Sequence, residues 1–222
     1  MKTAQIKVEL LDHMGSDLDV VNAARVSFAK ESKWDDVSEY SVLSDKDAKL
    51  IKYLAEYNHW SPFSHCFVKF RVKAPIFIAR QLQKHTVGLA WNEVSRRYVD
   101  YEPEFYFPDV WRKRADNVKQ GSSDEAVEMD ENDPWYIETT VGACQNAYQY
   151  LLDLGVAPEQ ARMILPQNTM TEWIWSGSLY AFARVCNLRL GAGAQKEAGE
   201  VAQQIKKHLC TLFPVSTQYL LE

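Results

Sequence analysis

The chain lacks most of the signals that would assign a class at once. Its four cysteines, Cys66, Cys144, Cys186 and Cys210, are scattered, with no Cys-x-x-Cys pair. That pattern excludes a disulfide framework and a zinc knuckle, and reads as reduced thiols in a cytoplasmic protein. The five histidines, at 13, 59, 65, 85 and 208, keep no ligand spacing with one another or with the cysteines, so no metal centre is expected. No apolar run reaches bilayer-spanning length, and Met1 to Leu11 shows no leader pattern, so no membrane partner is expected. Positive charge is in deficit: the net charge of -5 argues against a nucleic-acid surface. No Gly-x-Ser-x-Gly turn, internal repeat or linker is present, and 1–222 reads as a single domain. A hydrophobic content of 46% with 25% charged residues is that of a soluble globular chain.

Against this acidic background, positive charge collects between Arg80 and Tyr98. Arg80, Lys84, Arg96 and Arg97 stand there with Gln81, His85, Asn92, Glu93 and Ser95. A dense local cluster suits a small anionic ligand better than a long polyanion. Arginine offers a planar fork of donors, and the Ser95 hydroxyl and turn amides complete a phosphate cradle. The other reading is a solvated basic surface. As a nucleophile, Ser95 lacks an evident base.

Ile6 to Leu11 has strand character. Leu18, Val21, Ala24 and Phe28 give Asp17 to Ala29 a helical period. Residues 30–43 read as polar and irregular. Ser44 and Asp47 form a capping pair for a helix with Ile51 and Leu54 inward. Cys66, Val68, Phe70 and Val72 alternate with polar positions as a strand. Pro75 suits the first turn of a helix reaching about His85, with Arg80 and Lys84 on one face. Gly88 breaks that helix, and Asn92 to Tyr98 follow as loop or short strand.

Residues 116–133 read as an acidic, solvated loop. Ile137, Val141, Cys144, Tyr148 and Leu151 form a helical stripe ending near Gly155, and Pro158 starts the next helix. Ser176 reads as the cap of a helix with Leu179, Phe182, Val185 and Cys186 inward. Ala194, Ala198, Val201, Ile205 and Leu209 line a final helix. Few strands and many helices, not alternating, predict an α+β fold.

Arg189 lies four residues after Val185, on the inward side of its helix. A buried guanidinium needs a partner, either an internal carboxylate or a bound ligand. Arg162 poses the same choice. His59, beside Trp60 in a polar loop, is either structural or stacks on a flat ligand.

Several ordered blocks resemble the flavin-dependent thymidylate synthases, the ThyX family. They are Ala24-Arg25-Val26-Ser27, His59-Trp60-Ser61-Pro62-Phe63-Ser64-His65, Ala74 to Gln81, Asn92-Glu93-Val94-Ser95-Arg96-Arg97-Tyr98, Ala161 to Pro166 and Asn187-Leu188-Arg189. The resemblance implies a small, mostly antiparallel sheet packed with helices and a helical second half. It also implies methylation of dUMP to dTMP, with methylenetetrahydrofolate as carbon donor, FAD carrying hydride from NADPH, no cysteine nucleophile, and a homotetramer with active sites where subunits meet. By position, Gln81, Lys84, Glu93, Val94, Ser95, Arg96, Arg97, Arg162 and Arg189 would bind dUMP, with Ser95 and Arg97 chiefly at the phosphate. Arg189 would stabilise the uracil as N3 ionises. Ser61, Lys84, His85 and Glu93 would contact FAD, His59 would act beside flavin and folate, and Tyr98 would pack.

Three departures stand out. The family's Arg-His-Arg is Lys84-His85-Thr86 here, and the stretch from there to Ser95 is one residue longer. Gly191 to Gln195 has glycine where many members carry histidine. Ser178, Tyr180 and Arg184 replace other polar residues of the family, so no FAD role is carried onto them. Weaker or differently posed FAD with dUMP binding retained is the expectation. The competing readings are a degenerate nucleotide-binding homologue that has lost FAD, a conventional cysteine-dependent synthase using Cys186, and a basic surface for an acidic protein.

Overall fold

The computed structural model describes residues 1–37, 40–116 and 121–221. Its frame is a four-stranded antiparallel sheet of β1 (Lys7–Met14), β2 (Phe67–Pro75), β3 (Leu89–Glu93) and β4 (Met170–Ser178), in the spatial order β1-β2-β4-β3. Val68, Phe70, Val72 and Ala74 of β2 are buried, as the period-two pattern requires. On β4, Trp173 stands opposite Val72 and Trp175 opposite Phe70. Trp91 of β3 stacks on Trp173 with ring centroids 4.2 Å apart.

The helices are α1 (Asp17–Arg25), α2 (Asp45–Glu56), α3 (Ile76–Leu82), α4 (Asp133–Asp153), the single turn α5 (Pro158–Ala161), α6 (Leu179–Leu190), α7 (Lys196–Leu212) and α8 (Pro214–Leu220). Phe182 of α6 packs edge-on against Phe70 at 5.0 Å and Trp175 at 5.3 Å. Gln204 of α7 accepts from the Val8 amide at 2.8 Å and donates to the Ile6 carbonyl at 3.2 Å, which fastens α7 to the β1 edge. The α+β expectation therefore holds.

Local patterns are met closely. Ser44 caps α2, its hydroxyl accepting from the Asp47 amide at 3.2 Å, and Ile51 and Leu54 are buried. Ile78 and Leu82 share the buried face of α3, and Val141 and Tyr148 anchor α4.

Other expectations are corrected. α3 ends at Leu82 rather than near His85, so Lys84 leaves the helix and does not share a face with Arg80; Pro75 is the last strand residue, and the helix begins at Ile76. The β4 strand was not expected. It continues through Ser176, and Ser178 caps α6 instead, accepting from the Ala181 amide at 3.2 Å. Phe28 falls in a 3-10 turn after α1 and is 75% exposed. Ala194 precedes α7, and α8 follows it unannounced.

Asp35–Val37 pairs with Tyr40–Val42 inside the segment read as irregular, where residues 38 and 39 lie outside the described residues. In the stretch read as an acidic loop, 117–120 likewise lie outside. Ser122–Ala126 beyond them pairs with Arg112–Arg114. The physical reason is charge: Lys113 meets Glu125 at 3.1 Å, Asp124 pairs with Lys196, and the acidic run closes on a basic one. No described helix is long and apolar enough to cross a membrane.

Candidate functional site

The turn joining α3 to β3 runs along the outer side of α6. Gly177 of β4 permits this approach, since a Cβ there would sit 2.5 Å from the Gly88 carbonyl oxygen and collide with Leu89. Between turn and helix lies a cavity of about 500 Å³, lined by Lys84, His85, Thr86, Ala181, Arg184 and Leu188 among others. A hollow of about 180 Å³ adjoins it, bounded by His59, Trp60 and Tyr180. Arg184 and Asn187 border both. His59 is exposed and meets Tyr53 edge-on at 5.6 Å, while Trp60 lies 6.3 Å from Tyr180. Ser61 is exposed on the same loop.

Arg189, on the last turn of α6, is partly buried. Its Nε donates to His85 Nε2 at 3.0 Å. Burial lowers the His85 imidazole below its usual range, and the Arg189 and Arg184 charges add to that. The ring is therefore neutral at neutral pH and acts as an acceptor. Among the described residues no carboxylate pairs with Arg189, Lys84 or Arg184. The internal-carboxylate alternative for Arg189 is thus not realised there.

A second cluster forms where the chain leaves β3. Glu93 accepts from Thr171 Oγ1 at 2.8 Å and from Trp91 Nε1 at 3.2 Å. The Val94 amide donates to the Glu172 carbonyl at 2.8 Å, and Ser95 Oγ accepts from the Arg97 amide at 3.3 Å. Arg96 is engaged within the chain: it donates to the Tyr101 carbonyl at 2.9 Å and lies 4.8 Å over that ring. Arg97 approaches the Glu159 carboxylate at 3.6 Å, and Arg162 donates to the Glu159 carbonyl at 3.2 Å. One residue thus gathers two exposed guanidiniums from distant parts of the chain. Gln81, on α3, keeps its Oε1 buried with no partner among the described residues.

The structure joins His85 to Arg189, and Arg97 to Arg162. The first group includes the turn that precedes β3, and the second forms where the chain leaves that strand. Arg184, Asn187 and Trp60 escaped the residue-by-residue reading of the site. Their signal was faint: Arg184 departs from the family pattern, and only the packing of α6 against the two loops places it beside Thr86. Cys186 is buried against the Ala202 carbonyl, and burial pushes its thiol up to about 12. A thiol so buried and held protonated is a poor nucleophile, which weighs against the cysteine-dependent reading.

A family model described as thymidylate synthase complementing protein matches residues 9–215. The chain is 39% identical over 219 residues to a flavin-dependent thymidylate synthase of Thermus thermophilus, spanning 97% of this chain and 77% of that protein. It is 38% identical over 201 residues to one of Thermosipho africanus, spanning 89% and 83% respectively. Among solved structures it is similar to the UMP/dUMP methylase PolB of Streptomyces cacaoi bound with 5-Br dUMP, with a TM-score of 0.83, 31% identity, and coverage of 99% of this chain and 96% of that one.

Proposed function

The chain belongs to the flavin-dependent thymidylate synthases, and on that premise we propose that it methylates dUMP to dTMP, with methylenetetrahydrofolate as carbon donor and NADPH reducing FAD. The observation that carries this reading is Arg189. Its partly buried guanidinium leans on a neutral imidazole and pairs with no carboxylate among the described residues. Such a cation lacks compensating charge. A uracil ionised at N3 would supply it, and a preplaced guanidinium stabilises that charge as it develops.

The Ser95 hydroxyl with Arg97 and Arg162 would hold the phosphate. The Arg97–Glu159 contact is exposed and long, and such pairs contribute only about 0–1 kcal/mol, so a phosphate dianion displaces it readily. Arg96 and Val94 would shape the loop through their own hydrogen bonds. A ligand donor would satisfy the orphaned Gln81 Oε1.

The groove beside α6 would take the flavin dinucleotide. Lys84 and Arg184 line it without acidic partners, which suits a diphosphate, and His59 and Trp60 offer rings to a flat cofactor. When bound, the flavin supplies the hydride chemistry that no side chain provides. His85 and Ser61 border the same loops. Glu93 stands at the other end of β3, and its proposed flavin contact is best met from a second copy. A homotetramer is supported by Trp135 and Tyr136 of α4, which are 67% and 68% exposed. Residues 1–222 are read as one catalytic domain, supported by a core that runs from Ile6 to Phe213. A cytoplasmic location fits its free thiols.

The test is to record the visible spectrum of the purified protein and assay dTMP formation with NADPH and methylenetetrahydrofolate, with and without FAD. UMP is run beside dUMP as substrate. FAD-dependent dTMP formation supports the proposal. No flavin uptake and no product would instead favour a nucleotide-binding homologue that has lost its cofactor.

A further inference from the structure

Resting on the reading of Arg189 as the uracil-side cation, we infer that His85 is a positioning residue, whose unprotonated Nε2 holds the Arg189 Nε–H and aims the terminal guanidinium nitrogens at the nucleotide. The contact spans 3.0 Å between residues far apart in sequence. Arginine Nε can only donate, so His85 Nε2 must accept, and the imidazole proton belongs on Nδ1. A guanidinium carries five N–H groups in a rigid fork. With Nε taken, the Nη1 and Nη2 edge remains for a ligand. No other partner of the Arg189 side chain is present among the described residues, so the His85 hydrogen bond is what orients the fork.

The imidazole is itself well fixed. The His85 amide donates to the Leu82 carbonyl at 3.0 Å as the chain leaves α3, and the ring lies 6.5 Å from that of Trp175 on β4. The charged groups facing it are Arg189 and Arg184 from α6, with Lys84 adjacent on its own turn. All are cations, and no carboxylate pairs with the ring among the described residues. Protonation at Nε2 therefore removes the acceptor and adds a like charge beside Arg189. One proton breaks the contact and repels the residue it positions. Burial and the neighbouring guanidiniums oppose that proton, so the contact survives at neutral pH and is lost in acid.

Two variants separate this role from others. His85→Gln keeps an acceptor oxygen; His85→Leu removes it. Each is compared with wild type for flavin content, for dUMP binding by calorimetry from about pH 5 to 8, and for kcat and KM. The expected result is a loss of about 10–100-fold in kcat/KM for dUMP in His85→Leu, measured at saturating FAD because His85 also borders the flavin groove. His85→Gln should recover most of it and lose the acid limb of the binding profile. Histidine nitrogen NMR of the wild type, assigned with His85→Gln, should show the Nδ1–H tautomer, which in Arg189→Ala loses its hydrogen-bond shift at Nε2.

Equal losses in both variants at saturating FAD, or a protonated Nε2 at neutral pH, would overturn the inference. Should His85→Leu fail to fold, the His85→Gln profile and the NMR signature still decide it. Should wild type bind dUMP but form no dTMP, the proposed reaction fails, and those two measurements still judge His85 independently.

Discussion

Arg25 of α1 closes on Asp47 of α2, and the pair is nearly dry, with side-chain exposures of 15% and 5%. Asp47 also accepts from Ser44 at 2.9 Å and Ser32 at 3.1 Å. Arg25 stands in the Ala24–Ser27 block that contributed to the family resemblance. In this chain its guanidinium serves the scaffold that holds α2 and the His59 loop after it.

Replacing Asp47 with alanine leaves Arg25 buried without its anion and removes a contact of the α2 cap. The expected loss is about 3 kcal/mol, or roughly 6–12 °C in Tm for a chain of this size, measured by thermal unfolding. Burial pushes the Asp47 carboxyl up, but hydrogen bonds from Arg25, Ser44 and Ser32 and the Arg25 charge outweigh it, and the net shift is downward. The folded carboxyl thus binds its proton less tightly than the unfolded one. Its contribution is complete above the ordinary carboxylate value and disappears as pH falls through the lowered one. Asp47→Asn should therefore abolish that acid-side dependence.

Arg189→Lys tests the fork itself. Lysine keeps the charge but loses Nε and the planar pair of terminal nitrogens. Turnover should fall by about 10²–10³-fold, as when a preorganised donor to developing charge is removed. Flavin content, read from visible absorbance, should change little. A lysine variant with wild-type kcat would show that charge alone suffices.

The groove makes a separate claim on Arg184 and Lys84. Alanine at either should weaken flavin binding by about tenfold or more, since each charge-assisted contact contributes roughly 1.5–3 kcal/mol. Thr86→Arg adds a guanidinium to the same groove and should raise flavin occupancy. Fluorescence titration of flavin into stripped protein measures both. An unchanged affinity in Arg184→Ala would place the diphosphate elsewhere.

The thiols offer a further check. Cys210 is exposed, whereas Cys66 and Cys186 are buried with their thiols pushed up to about 12. A thiol reagent should titrate Cys210 first and reach the buried pair only on unfolding. Cys186→Ala should keep turnover while losing some stability; loss of turnover in a folded variant would revive a cysteine mechanism.

Much of the scaffold was legible because it is local. The alternation in β2, the Ser44 cap, the Ile78 and Leu82 face of α3 and the α4 stripe each follow from neighbours within a turn or two. β4 was illegible because its pairing partners, 67–75 and 89–93, lie far back along the chain. The acidic segment 121–126 was misread for the same reason: its cations stand at 113 and 196.

For the site, the residue types pointed to a small anion such as phosphate, while a uracil and a flavin were implied only by the family resemblance of the ordered blocks. Tertiary structure decided which donors of those residues are available. It turned Arg96 onto Tyr101, gathered Arg97 and Arg162 at Glu159, put Arg184 beside Thr86, and gave Arg189 a neutral histidine where a carboxylate was an alternative. A side chain's free hydrogen-bonding capacity depends on what long-range packing sets within about 3 Å of it. That is not encoded in any local window of the chain.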